Sequence, residues 1–144
     1  MSKLGTNTNK KRKQNLEKIA DKWFSLFIRL RMAASDGVVI CVTCGKELHY
    51  KNAHCGHFRT RDKKILRYNE KNCNVQCPYC NTFKHGEQYL HGQYIDSIYG
   101  EGTADYLTAT EQTVCKRTAI DFDYLIEEYK EKTKQMATKL GIKL

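Results

Sequence analysis

The sequence predicts an α+β protein in which a small zinc-stabilised core is flanked by an N-terminal and a C-terminal helix. Three observations carry this expectation. Two Cys-x-x-Cys pairs, Cys41–Cys44 and Cys77–Cys80, enclose 32 residues; four thiolates in two such pairs can close one tetrahedral zinc site. Apolar residues recur at helical spacing before the first pair and again near the C-terminus. Between these stretches lies a short β-branched run with glycine turns. At 144 residues the chain suits one domain with a modest core.

Residues 1–13 read as a disordered basic arm ending in Lys10-Lys11-Arg12-Lys13, suited to phosphate contacts that read no sequence. A helix is expected over 14–35. Leu16, Ile19, Ala20, Trp23, Phe24, Phe27 and Leu30 would form its apolar stripe, packed on the zinc module, and Asp36-Gly37 would stop it. Val38 to Val42 reads as a short strand into the first knuckle, with a turn at Gly45-Lys46. Residues 47–65 read as a hairpin or irregular loop around Gly56, and 66–76 as polar loop. Pro78 suits the first turn of a helix carrying Asn81, Phe83, Lys84 and His85, bent or broken at Gly86. Glu87 to Tyr99 continues helically to a cap at Gly100, and a short helix follows near 104–110. The last helix, 121–140, takes Asp121 as N-cap, with acids early and lysines late to complement its dipole. Phe122, Leu125, Ile126 and Tyr129 give it an apolar face. The organisation is thus an arm at 1–13 and a single domain at 14–144, with the zinc and catalytic core at 38–100.

Residues 1–45 and 46–84 each carry nine basic and three acidic side chains, whereas 85–144 carry seven and ten. The net charge of +9 therefore comes from the first 84 residues, around the cysteine pairs. Such a concentration recruits a polyanion, and DNA is the partner it points to. Seven cysteines could also suggest a disulfide scaffold. The odd count, the paired spacing and the lack of an apolar signal stretch favour zinc and a reducing cytoplasm instead. No stretch is apolar enough for a membrane span. Cys73 and Cys115 read as ordinary free thiols.

The enclosed loop carries further chemistry. Hydrolysis of a phosphodiester needs a base to take a proton from water and a hard cation to stabilise charge on the phosphate and leaving oxygen. His57, Asn72 and Asn81 stand in the order of the HNH, or ββα-metal, nucleases. Asn72 is five residues before Cys77, and Asn81 directly follows Cys80. In that register His57 is the general base, Asn72 fixes the loop and orients the base, and Asn81 offers an amide oxygen to Mg²⁺ or Mn²⁺. His85, four residues after Asn81, is either a second ligand on the same helix face or an exposed histidine near a helix break. Gly56 stands where HNH domains often carry an acidic or histidine ligand. His54 and Cys55 are the nearest substitutes, His54 for a hard catalytic ion and Cys55 for zinc. Arg59, Arg61, Lys63, Lys64 and Arg67 read as phosphate contacts beside the cut site; Lys84 joins them from the following helix.

The runs Cys41-x-x-Cys44-Gly45, Gly56-His57-Phe58-Arg59-Thr60, Leu66-Arg67-Tyr68-Asn69-Glu70-Lys71-Asn72, Gln76-Cys77-x-x-Cys80-Asn81 and Lys84-x-Gly86 resemble the phage NinG (Rap) recombination proteins. The resemblance is close over 41–86 and extends more loosely over most of the chain. It implies a structure-specific endonuclease acting on branched recombination intermediates such as Holliday junctions and D-loops. Where members of the family can carry an Asp three residues before the base, this chain has His54. Paired cuts at a junction would suit a homodimer, and recombination proteins of phage or host are further implied partners. The alternative expectation is a non-catalytic zinc-ribbon DNA-binding module of phage replication or transcription, which explains the zinc and the charge but not the register of His57, Asn72 and Asn81.

Overall fold

The computed structural model describes residues 3–144. Four helices, α1 (Lys3–Leu30), α2 (Gln88–Tyr99), α3 (Thr103–Thr110) and α4 (Ala119–Leu140), accompany four short strands, β1 (Val38–Ile40), β2 (Glu47–His49), β3 (His54–His57) and β4 (Cys73–Gln76). The class is α+β, as expected. The strands form two separate antiparallel pairs, β1 with β2 and β3 with β4. Val39 faces Leu48 in the first; Cys55 faces Val75 and His57 faces Cys73 in the second. The first knuckle sits in the turn between β1 and β2, where Cys41 N donates to Lys46 O at 2.9 Å. Val42 N then donates to Val75 O at 3.1 Å, which ties that turn to β4.

Four local expectations need correction. The arm at 1–13 is helical over its described residues, and Lys10 to Lys13 lie on the exposed first turns of α1. Lys, Arg and Gln favour helix, and extending an already packed helix needs propagation without a new nucleus. Residues 1 and 2 lie outside the described residues. At its other end α1 stops at Leu30, before Ser35. There Ala34 N turns to Val38 O at 3.0 Å. Gly37 takes φ +82° with its Cα against the His49 ring, where an added Cβ would meet Nε2 at 2.4 Å.

The third correction is β4, which falls in a stretch that reads as polar loop. All four of its residues are buried. Its polar side chains are matched inside the protein rather than turned to water. Arg31 Nη2 donates to Cys73 O at 2.7 Å and to Asn74 Oδ1 at 3.1 Å, and Asn74 Nδ2 lies 3.0 Å from His91 Nε2 on α2. The fourth is the N-cap of α4. It is Thr118, not Asp121: Thr118 Oγ1 accepts from Asp121 N at 3.3 Å while Asp121 Oδ2 accepts from Thr118 N at 2.7 Å. Asp121 is the reciprocal half of a capping box.

The apolar stripe of α1 packs on α4 as well as on β3 and β4. Ala20, Phe24, Phe27 and Ile28 meet Phe122 and Tyr129, and buried Cys73 closes the cluster from the sheet. Phe24 meets Tyr68 edge-on at 5.5 Å and Tyr129 at 4.8 Å. A second cluster, Leu30, Val39, Tyr50, Ala53 and Val75, lies under both strand pairs. A third, Phe58, Leu66, Ile95, Ala104 and Leu107, fastens the loop between β3 and β4 to α2 and α3.

Candidate metal centre and adjoining cleft

The two Cys-x-x-Cys knuckles meet. Cys41, Cys44, Cys77 and Cys80 place their sulfurs within 4.8 Å of one another, and Cys44 Sγ lies 3.7 Å from Cys77 Sγ. Cys41, Cys77 and Cys80 are buried, with Cys44 at the surface. Cys80 N points at Cys77 Sγ at 3.4 Å and Thr43 Oγ1 lies 3.3 Å from Cys41 Sγ. Such outer contacts orient thiolate ligands. Burial works against ionisation of Cys41, yet Thr43 and the surrounding backbone N–H groups bring it down to about 6. Burial pushes Cys80 up to about 12 and raises Cys44. One thiolate is thus ready for a cation, and a bound cation supplies the field that ionises the others. Four soft donors with no open position fit a structural metal ion such as zinc.

Beside this centre lies an open cleft of about 680 Å³ whose walls include Asp21, Arg29, His54, Cys55, His57, Arg61, Asn81 and His85. The cleft therefore gathers His57, Asn81, His54 and His85. Asn72 is not in its wall. His57 ends β3. Its Nε2 donates to the Arg67 carbonyl at 2.9 Å; a carbonyl can only accept, so the neutral ring keeps its lone pair on Nδ1. Burial lowers the His57 pKa, the Arg67 carbonyl bond partly offsets this, and the nearby Arg61 and Arg67 charges lower it further. The imidazole is neutral at pH 7.

Asn72 acts on the loop rather than on the ring. Wholly buried, it accepts from Arg59 N at 2.9 Å and donates to Arg59 O at 3.0 Å and Leu66 O at 3.2 Å. Its own carbonyl accepts from Phe58 N at 2.8 Å. It closes the loop that carries the Arg67 carbonyl, so its effect on His57 is indirect.

Asn81 lies on a π-helical turn, Tyr79–Phe83, where Lys84 N reaches back to Tyr79 O at 3.1 Å. The helix ends there. His85 takes φ +51° and Gly86 φ +84°, so the shared helix face for Asn81 and His85 does not form. His85 reaches the cleft through the turn and is exposed. Asn81 Nδ2 instead donates to His54 Nδ1 at 3.1 Å. A half-turn of the Asn81 amide would present Oδ1 on the same side, giving a cation one oxygen and one imidazole nitrogen.

Gln76 carries no mark of a role of its own in the sequence. An added Cβ on Gly56 would sit 2.0 Å from Gln76 Oε1, so a larger residue there would displace the Gln76 side chain. Gln76 Nε2 spans Thr43 Oγ1 at 3.1 Å and Gly86 O at 2.9 Å, joining the cysteine centre to the turn behind Asn81.

The basic residues divide. Arg59 is paired with Glu111 at 2.6 and 3.2 Å. Arg67 is paired with Asp21 at 3.0 and 2.5 Å. Both hold the fold together. Arg61 is largely exposed and only 3.9 Å from Asp21. Lys63 lies 3.8 Å from Asp62, and Lys84 3.3 Å from Glu87. Lys64 and Lys10 to Lys13 are exposed. Asp21, which anchors Arg67 and accepts from Tyr68 Oη at 2.8 Å, was also unmarked in sequence; its place on α1 gives no sign that the loop returns to it.

No curated protein and no solved structure matches the chain. A family model does, that of the bacteriophage Lambda NinG protein, over residues 3–139. With the match spanning nearly the whole sequence and both cysteine pairs converging in space, the chain belongs to the NinG family.

Proposed function

We propose that this chain is a metal-dependent DNA endonuclease of the HNH type that cuts branched recombination intermediates, Holliday junctions and D-loops among them. Membership of the NinG family points to a function related to phage recombination. The observation that carries the finer reading is His57. It is neutral, held through Nε2 by the Arg67 carbonyl, and shares a cleft with the touching pair His54 and Asn81.

In this reading His57 Nδ1 takes a proton from a water positioned in the cleft. Asn72 keeps the loop, and with it the Arg67 carbonyl, in place so that the ring does not rotate. Asn81 and His54 would hold a Mg²⁺ or Mn²⁺, with His85 within reach of the same cleft; such an ion stabilises charge on the scissile phosphate and leaving oxygen. The four-cysteine metal is structural. Arg61, in the cleft wall, would contact phosphate, with Lys63, Lys64 and Lys84 as further phosphate contacts. Exposed Tyr79 and Phe83, on the turn that bears Asn81, offer faces for unstacked bases. A homodimer would supply two such clefts for paired cuts.

The test is cleavage of a branched DNA with Mn²⁺, against an EDTA control. His57→Ala should lower the rate by ~10²–10⁴ with zinc content and DNA binding preserved. Cleavage by His57→Ala at the wild-type rate would refute the assignment. Failure of the wild type with every divalent ion would leave the non-catalytic zinc-ribbon DNA-binding reading in its place.

A further inference from the structure

A second group of soft ligands lies outside the four-cysteine centre. Strand alternation puts Cys55 and His57 on one face of β3, and the register sets Cys73 of β4 directly across from His57. Cys55 Sγ, Cys73 Sγ and one ring nitrogen of His57 all lie within 4.8 Å of one another. Both cysteines are free thiols. Cys55 and His57 line the open cleft, which gives an ion a way in and a place for water. Two cysteines and a histidine, with a fourth position left to water, make a recognised zinc donor set. Thiolates favour such borderline-soft ions over Mg²⁺ and Mn²⁺.

We propose that Cys55, His57 and Cys73 form a second, weaker site for a thiophilic divalent ion such as Zn²⁺, and that filling it disables the cleft. The second half rests on the nuclease reading; the first does not. Binding releases the two thiol protons to solvent and leaves the ion on two thiolates and a neutral imidazole. Loss of the base follows whichever ring nitrogen is used. An ion on Nδ1 occupies the lone pair that would accept the proton from water. An ion on Nε2 displaces the Arg67 carbonyl and leaves the ring proton on Nδ1, so that lone pair is again lost. The site is weaker than the four-cysteine centre because it offers two thiolates and one nitrogen where that centre offers four thiolates.

The test uses the full chain with its first zinc in place, under a non-coordinating reductant and without DNA, titrated with Cd²⁺ and with Zn²⁺. One further equivalent should bind, with a sulfur-to-cadmium charge-transfer band. Its affinity should fall by more than about tenfold in Cys55→Ala and in His57→Ala, both retaining the first zinc. No further equivalent in the wild type, or one that neither variant weakens, overturns the site. In the Mn²⁺ cleavage assay, added Zn²⁺ should inhibit the wild type, with a midpoint more than about tenfold higher in Cys55→Ala, each protein measured against its own zinc-free rate. Equal sensitivity of the two overturns the inhibitory half. A wild type that never cleaves overturns that half together with the nuclease reading, while the titration still decides the site.

Discussion

The four-cysteine centre and the histidine cleft are neighbours yet are built in opposite ways. The first is local: each ligand pair sits within one tight turn, and closure requires only that two turns meet. The second is distributed. His57 comes from the end of β3, its orienting carbonyl from Arg67, the brace for that carbonyl from Asn72, and the opposing wall from the turn bearing Asn81. A closed centre with every position filled is suited to holding a fold. An open one with a neutral imidazole and unfilled space is suited to chemistry. The contrast predicts that mutations in the two regions fail differently.

The largest effect should come from Cys77→Ser. Structural zinc in small domains contributes an apparent ~10–16 kcal/mol of folding free energy at pH 7, more than a domain of this size can lose. The variant should bind no zinc and lack a cooperative unfolding transition by circular dichroism. A folded, zinc-free Cys77→Ser would erase the distinction between the two regions.

Asn72→Ala should cut less deeply. It leaves Arg59 N and Arg59 O without their partner inside the fold, while Leu66 O keeps Asn69 N, at a cost of about 2–4 kcal/mol. Urea denaturation should show that loss with zinc still bound. Cleavage should fall further than stability alone explains, because the Arg67 carbonyl is then free to drift. A variant as stable as the wild type would show that the loop is held by its apolar contacts instead.

A smaller effect sharpens the comparison at the other face of β4. His91 is wholly buried, and burial lowers its pKa to about 4, with His57 adding to the shift. In the unfolded chain it titrates near 6.5. Between those values the unfolded state holds the extra proton, so stability falls as pH falls. The contribution is complete above about pH 6.5 and gone below about 4, and amounts to at most about 3–4 kcal/mol. His91→Gln should flatten this part of the stability profile; an unchanged slope in chemical denaturation from pH 6.5 to 5 would show that another group carries it. Acid loss of metal from the cysteines affects both proteins alike.

What could be read from the sequence follows the same division. The cysteine knuckles, the stripe of α1 and the later helices announce themselves through short-range spacing. The chain's β4 does not: Cys73-Asn74-Val75-Gln76 alternates over only four residues, and its polar half is buried, on partners from Arg31, His91, Thr43 and Gly86 that the local sequence does not reveal. The π-helical turn was hidden for a related reason: Asn81 and His85 have helical spacing, and only the backbone reversal at His85 and Gly86 separates them. Arg59 and Arg67 look like their basic neighbours until Glu111 and Asp21 arrive from other elements. Asn72 was legible as a loop-fixing residue, but its route to the imidazole was not.

The first turns of α1 have a consequence of their own. Because the helix runs unbroken from Lys3 to Leu30, Lys10 and Asp21 belong to one rigid rod, and Asp21 stands in the cleft wall. Eleven helical residues separate them by about 16 Å along the axis, close to five base-pair steps of DNA. On the proposed DNA-binding reading, a phosphate gripped at Lys10 would be set at a fixed offset from the cleft, whereas a swinging tail would accept any. The basic turns would then act as a gauge as well as an attractant, and two helical residues inserted between Gln14 and Asp21 would lengthen that offset by about 3 Å while also rotating the charges to another side.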